Sequence, residues 1–514
     1  MKNLINYITT IIITLSVVSC TDLEEQALDG VIPTGSGSAK ADIRGVLDQV
    51  AAFHNEWNRH LGVQEMSGDA MAGPTRGGDW DDNAVLRQMH THTLGSDHPW
   101  TAASYNIFMT GIYKADLVIS DGAQSDDHAA AKLMKAYFYY QMIDKFGVVP
   151  YRDDYSDMTK DAAVYTRSEA FSEAVTLATE ALSSLDEKVD GQADKPNKDA
   201  ARMLLAKLHM NRAVFTSEPG STSFTFDAAD MTAAIGYIDD MVSSLNDTAS
   251  DGSSYWYNFD KDNHLSAELI WALKQEQGAD DSVGGTSFHW RMGQHYNQTP
   301  GGWNGPVMVG EYYDYFQENG VSEGSDPRVT WSTPELTTTT GNSIGVQRGQ
   351  IYKPGGTEKV KDRNGLDLVF TKDVPLVVTD KAAIESAGYR IIKYVPHDFD
   401  NPESDLILFR YSDALLLRAE AALRGGSGGD AQADLDAVRA RVGLASITAN
   451  LDNVYAERAR ELWFEGHRRN DMIRWGTFLN AKELKSSESD PKYLLFPLPA
   501  DALLNPNISQ NPGY

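Results

Sequence analysis

The chain has 514 residues, with 45 Lys+Arg against 73 Asp+Glu, a formal net charge of −28 and a single cysteine. At roughly 150 residues per domain this length suits about three domains or one large one, and the 41% hydrophobic content is enough for a sizeable core. One cysteine excludes intrachain disulfides and Cys-based zinc or iron–sulfur sites. The acidic balance argues against nucleic acid as a partner and against a polybasic membrane patch.

The N-terminus reads as an address. Residues 1–3 carry one positive charge, Lys2, and residues 4–18 are mostly apolar, with Ile5, Ile8, Ile11, Ile12, Ile13 and Leu15. The run is short and interrupted for a transmembrane span of about 20 apolar residues; it suits a secretory h-region. Val17-Val18-Ser19-Cys20 resembles the lipobox of bacterial lipoproteins, in which a small residue precedes the cysteine that is lipidated. Cys20 has no other cysteine to pair with, which favours that role over a buried thiol. The expectation is a signal peptide over 1–19, lipidation at Cys20, and an anchor and tether over 20–40. Asp22, Glu24 and Glu25 would hold the body off an anionic lipid surface.

Helical periodicity follows over 41–61 (Ile43, Val46, Leu47, Val50, Phe53), 100–120 (Tyr105, Phe108, Ile112, Ala115, Ile119) and 127–146, where Gly147 makes a plausible stop. Thr166 and Glu169 open another helix running to about Leu185, and further helices are expected at 198–215 and 227–246. Helices of 15–20 residues with short links have the rhythm of a helical-repeat array, without a strict 34-residue consensus. From 247 to 400 the period fades. Gly, Thr, Asn, Asp and aromatics dominate, with short β-like runs at 350–352, 366–371, 375–378 and 389–394. Helices return at 403–424, 429–442 and 452–485. The glycine-rich link at 425–429 follows no strand and lacks a Gly-Lys-Ser/Thr, so it reads as an interhelix linker and not a phosphate cradle.

Metal motifs are weak. His90-Thr91-His92 lacks a Glu-x-x-His helix and is expected in a solvated loop. The run 260–264 begins like a calcium loop, but Leu265 and Trp271 stand where an EF-hand needs Gly and Glu. No cofactor is expected, though loop carboxylates elsewhere leave a structural calcium open.

Four segments in the C-terminal third carry a resemblance. They are Arg410-Tyr411-Ser412-Asp413-Ala414-Leu415-Leu416, Val438-Arg439-Ala440-Arg441-Val442-Gly443-Leu444, the run 458–476 around Arg468-Arg469-Asn470-Asp471-Met472, and the tail from Leu498-Pro499 to Asn511-Pro512-Gly513-Tyr514. Together they resemble the SusD/RagB family of outer-membrane nutrient-binding lipoproteins. The lipoprotein start, the helix ending at 146–150 and the run 266–271 fit in order, so the likeness covers nearly the whole chain. In 458–475 the charges are expected to staple the C-terminal helix: Glu465 can reach Arg469 at i+4, and Asp471 lies three residues from Arg468 and from Arg474. Arg partners keep carboxylates ionised, the opposite of what a general acid needs.

The resemblance implies a mainly α fold: a tetratricopeptide-like helical body over 41–246, a loop-rich, partly β aromatic region over 247–400, and a C-terminal helical region over 401–514. It also implies a non-enzymatic, surface-exposed lipoprotein of the outer membrane that captures a glycan and passes it to a SusC-like TonB-dependent transporter. Sugars present apolar C–H faces and a rim of hydroxyls, so a site needs exposed rings flanked by Arg, Asp, Asn or Gln. Two loops have that mixture, near residue 80 and near 290–304, where family members tend to bind ligand. Trp80, Trp290, Tyr296 and Trp303 are the expected stacking platforms, with Arg76, Asp79 and Asn83 as hydroxyl partners. Trp100, Trp256 and Trp271 read as core. A peptide or glycoprotein binder of the same family, with a deep polar groove, is one alternative. A lipid-anchored glycoside hydrolase is another, and it needs two facing carboxylates roughly 5–10 Å apart. Asp79, Asp81 and Asp82 cluster on one loop, and the sequence supplies no partner to face them.

Overall fold

Helices form where the apolar spacing predicts them, and their starts are fixed by side-chain caps. A computed structural model describes residues 42–514 apart from 121–125, 156, 158, 319–320 and 397–402. The signal peptide, Cys20 and the tether to residue 40 lie outside the described residues. Asp42 caps the helix Ile43–His54 by accepting the Arg44 N–H at 2.9 Å. Thr166 and Glu169 form a reciprocal capping box at the start of Arg167–Ser184, and Asn197 accepts the Ala200 N–H to start Lys198–Phe215.

The helices Ile43–His54, Pro99–Ser120, Asp126–Lys145, Arg167–Ser184, Lys198–Phe215 and Ala228–Asp239 pack in succession, each on the next. One close approach depends on a missing side chain: a Cβ on Gly111 would stand 2.4 Å from the Phe138 ring. The helix Tyr411–Leu423 extends the array. It packs on Ala228–Asp239 and Lys198–Phe215 from one side and on Ala431–Arg441 and Leu451–Glu461 from the other. The expected helical-repeat body is present.

Between these helices the chain builds small sheets that tie distant segments together. Leu406–Arg410 runs antiparallel to Leu269–Leu273, and Met71–Ala72 runs antiparallel to Val307–Met308. Thr75–Arg76 lies parallel to Val377–Val378. Thr330–Trp331, Ile344–Gln347 and Arg390–Ile392 form a three-stranded sheet. Trp100, Trp256 and Trp271 are buried, as expected.

Four helices differ from the periodicity. The expected helix 41–61 stops at His54, with Asn55 as its C-cap. The run 403–424 begins as the strand Leu406–Arg410, because four consecutive apolar residues suit a strand buried on both faces better than one side of a helix. The expected helix 227–246 stops at Asp239, where the Asp199 carboxylate takes the backbone N–H groups of Val242 and Ser243. The expected helix 452–485 is two helices, Leu451–Glu461 and Arg468–Trp475. Between them the backbone turns left-handed at Phe464 (φ 56°) and Gly466 (φ 80°), and a Cβ on Gly466 would overlap the His60 ring.

That break reassigns the charge pairs. Asp471 does meet Arg474, at 2.7 Å, but its other partner is Arg458 at 2.8 Å, and Arg468 instead takes Asp69. Glu465 sits before the second helix begins, so i+4 spacing to Arg469 does not apply; it binds Arg410 and Lys393, while Arg469 binds Asp144. Glu461 receives Arg328, Arg410 and Arg441, and Glu457 receives Arg328, Arg439 and Arg460. The network is buried and reciprocally paired, which is the form in which interior charges are tolerated. His90 and His92 are also buried, against expectation. Their rings hydrogen-bond Met71, Glu483 and Ser67 carbonyls and the Ser489 hydroxyl. Among the described residues no three His, Cys, Asp or Glu side chains gather as a metal site.

Candidate functional site

The strand Thr75–Arg76 ends in a tight reversal. Gly77 takes φ 68°, and Arg76 and Asp79 exchange both backbone hydrogen bonds, at 2.9 and 3.2 Å. The chain then passes through Trp80, Asp82, Asn83 and Ala84, all with positive φ between 39° and 65°. Four left-handed L-residues in five positions is a costly local conformation of the kind that clusters at ligand clamps. It sets the Trp80 ring edge-on to Trp57 at 5.8 Å, and Trp57 in turn edge-on to Trp100 at 5.3 Å.

The second loop, 291–305, folds back on itself. Backbone bonds join Trp303 N–H to Arg291 O and Asn304 N–H to Gln294 O. The two loops then meet. The Trp80 indole Nε1–H donates to the Trp303 carbonyl at 2.9 Å. Gly305 lies under the Trp80 ring, where a Cβ would come within 2.2 Å of Cζ2. Trp303 remains 39% exposed and Trp80 is half-buried. Asp79 and Asn83 are exposed on the rim.

A third loop, unnoticed in the sequence, completes the site. Asp362 accepts the N–H groups of Asn364 and Leu366, closing a turn that carries Arg363. The Arg363 guanidinium lies over the Tyr296 ring at 4.2 Å, a cation–π arrangement. It also pairs with Glu385 and reaches Asp79 at 3.5 Å. Burial works to raise the Glu385 carboxyl, but the Arg363 N–H, the Arg363 guanidinium and His295 outweigh it and hold the group below its ordinary range. A carboxylate held ionised in this way is poorly suited to general-acid work. The signal for Arg363 was present: two β-like runs, 350–352 and 366–371, flank an Asp-Arg-Asn-Gly turn.

Five of the seven expected ligand residues, Asp79, Trp80, Asn83, Tyr296 and Trp303, lie on these joined loops at or near the surface. Two expectations are corrected. Arg76 is 2% exposed, and its guanidinium donates to the carbonyls of Asn304, Gly305, Ile384 and Ala387, so it braces the loops from behind instead of meeting hydroxyls. Trp290 is 1% exposed and presents no face for stacking. Its place in the short helix Ser287–Arg291 turns the ring inward.

The fold has relatives. The family model described as SusD family matches residues 247–514, more than half of the chain. The starch-binding protein SusD of Bacteroides thetaiotaomicron is 23% identical over 432 residues, covering 77% of this chain and 74% of that protein. Among solved structures, a laminarin-binding SusD-like protein superposes with a TM-score of 0.66 at 21% identity, over 92% of this chain and 98% of its own. Surface glycan-binding protein A from Bacteroides thetaiotaomicron, in complex with laminarihexaose, does so with a TM-score of 0.63 at 17% identity, over 91% and 98%. The matched segment includes the Arg410 strand, the buried charges around Glu457 and Glu461 and the 291–305 loop, and with that agreement the chain belongs to the SusD family.

Proposed function

We propose that this protein is a non-enzymatic glycan receptor, binding an oligo- or polysaccharide across Trp80 and Trp303, with Tyr296, Asp79, Asn83 and Arg363 around them. The observation that carries the reading is the hydrogen bond from Trp80 to the Trp303 carbonyl over Gly305. It fixes the Trp80 ring to the backbone of the loop that carries the exposed Trp303, where flat sugar faces stack and where hydroxyls find carboxylate, amide and guanidinium partners. The names of the relatives, starch-binding, laminarin-binding and glycan-binding, support it. Preorganised rings lose little entropy on binding, which favours a receptor over a transient contact.

Within that reading, the lipobox-like end at Cys20 would place the protein on the outer membrane, exposed at the cell surface, beside a SusC-like transporter that receives the captured glycan. Affinity electrophoresis of the full chain against a polysaccharide panel tests the receptor. Trp303→Ala is expected to weaken binding at least about tenfold with an unchanged melting temperature. Retention of full affinity in both Trp303→Ala and Trp80→Ala would move the site elsewhere. Reducing ends released during incubation would overturn the non-enzymatic assignment.

A further inference from the structure

The platform stands over unusual charge. Arg76 and Arg390 are both buried, and among the described residues neither forms an ion pair with a carboxylate. Arg76 spends its donors on four backbone carbonyls. Arg390 donates to the Asn304 side-chain oxygen and to the carbonyls of Glu385, Ala387 and Gly388, with its guanidinium over Phe370 at 4.5 Å. The two share Asn304 and the Ala387 carbonyl, so two positive charges lie next to each other at the residue that follows Trp303 in the chain. Burial pushes Arg76 down to about 9, and burial together with Arg76 pushes Arg390 lower than an ordinary guanidinium. Elsewhere this chain treats buried arginines differently: Arg328, Arg410, Arg441, Arg458 and Arg474 all meet carboxylates. A third guanidinium, Arg363, is 45% exposed on Tyr296.

The nearby carboxylates offset these charges only in part. Glu385, itself buried, pairs with Arg363, hydrogen-bonds His295 and also acts on Arg76, so it balances one of the three guanidinium groups. Asp79 and Asp81 point into solvent and reach Arg363 and Arg87. Asp82 is exposed as well, and charges in water are screened within about 8 Å at physiological salt. Charges in the low-dielectric floor are screened far less, and their field emerges at the surface above them. In a molecule with a net charge of −28, the floor beneath the aromatic platform therefore holds more positive than negative charge, Arg76 and Arg390 against Glu385, while Asp79, Asp81 and Asp82 stand in water at the rim.

Resting on the glycan reading above, we infer that the ligand is an acidic polysaccharide, one whose carboxylate or sulfate groups settle over Asn304 and against Arg363 while its sugar faces stack on Trp80 and Trp303. Arg363 is the residue that selects for charge: its fork leaves Asp79, held only at 3.5 Å, for the ligand anion, while Glu385 keeps it in place.

The test uses the full chain and paired polymers. Polygalacturonate and its carboxyl-reduced form distinguish a uronate, and a sulfated galactan and its desulfated form distinguish a sulfate ester. Soluble starch and laminarin are the neutral arms. The expected result is binding to one acidic polymer, weakening at least about tenfold between about 50 mM and about 500 mM NaCl, and lost in its neutral partner. Arg363→Gln, at an exposed position that should fold normally, is expected to cost about tenfold for the acidic polymer. Arg76 and Arg390 brace the loops and could fail to fold when changed, so the test does not depend on them. Binding to a neutral polymer as tight as to any acidic one, unaffected by salt and by Arg363→Gln, overturns this inference and leaves the glycan receptor standing. Silence with every polymer overturns both.

Discussion

The buried network around Glu461 and the aromatic platform around Trp80 both depend on arginine, and they use it in opposite ways. In the network each guanidinium meets carboxylates: Arg410 takes Glu461 at 2.5 Å and Glu465 at 2.6 Å, and Arg458 takes Asp413 and Asp471, both at 2.8 Å. At the platform Arg76 and Arg390 take backbone carbonyls and one amide oxygen. The first arrangement neutralises charge and locks helices together. The second locks loops together and leaves charge over. A single residue type thus serves stability in one region and positions a site in the other, and the partner decides which.

Breaking the network should have the largest effect. Glu461→Gln leaves Arg328, Arg410 and Arg441 short of a partner, and urea unfolding is expected to show a loss of about 3–5 kcal/mol, with glycan binding unchanged at temperatures where the protein stays folded. Glu65 probes the seam between the two regions. It lies in the π-helical turn Gly62–Met66 that leads to the platform strands, and its carboxylate accepts the N–H groups of Gly466 and His467 at the network's turn. Burial raises it to about 7. A carboxyl raised in the folded state keeps a proton that the unfolded chain has released, so its contribution to stability falls as pH rises from about 4.5 to about 7 and stays low above that. Glu65→Gln should flatten this part of a melting-temperature–pH profile, by on the order of 3 kcal/mol across the window. Glu457, whose burial is outweighed by Arg328, Arg460 and Arg439 and which is held at about 2, has the opposite sign: its contribution is present above about 4.5 and disappears as pH falls towards 2.

The platform should break without unfolding. Gly305→Ala puts a methyl group into the Trp80 ring, and glycan affinity is expected to fall about tenfold or more while the melting temperature moves by no more than a few degrees. A temperature loss as large as that of Glu461→Gln would mean that the platform is part of the core after all. Thr166→Ala gives the smallest effect. It removes the capping box that starts Arg167–Ser184, and about 1 kcal/mol of stability with no change in binding is expected.

The two regions also differed in what their residues disclosed. Helix spacing made Pro99–Ser120, Asp126–Lys145 and Lys198–Phe215 legible almost to the residue, because apolar periodicity and caps are local. The charges at 458–475 announced a network, and the Asp471–Arg474 pair was as expected, yet the partners of Glu465 and Arg468 were misassigned, since Phe464 and Gly466 reverse the chain and ion pairs follow space and not spacing. At the platform, Trp80, Tyr296 and Trp303 were legible as aromatics among polar loop residues. Arg76 was recognisable as important but not as buried, because a guanidinium that binds carbonyls has no partner that a sequence can name. Trp290 failed for a related reason: one turn of helix separates an inward ring from an outward one.

The row Trp80, Trp57 and Trp100, with edge-to-face spacings of 5.8 and 5.3 Å, gives the protein an optical reporter of its own occupancy. Indoles this close couple their electronic transitions, so the near-ultraviolet circular dichroism of the group depends on the angle of each ring. A sugar seated on Trp80 would perturb the outermost chromophore of the row, and the inner two would carry the change as a shared band. Binding could then be followed in solution without a label, and a variant that tilts Trp80 would declare itself in the spectrum before any ligand was added.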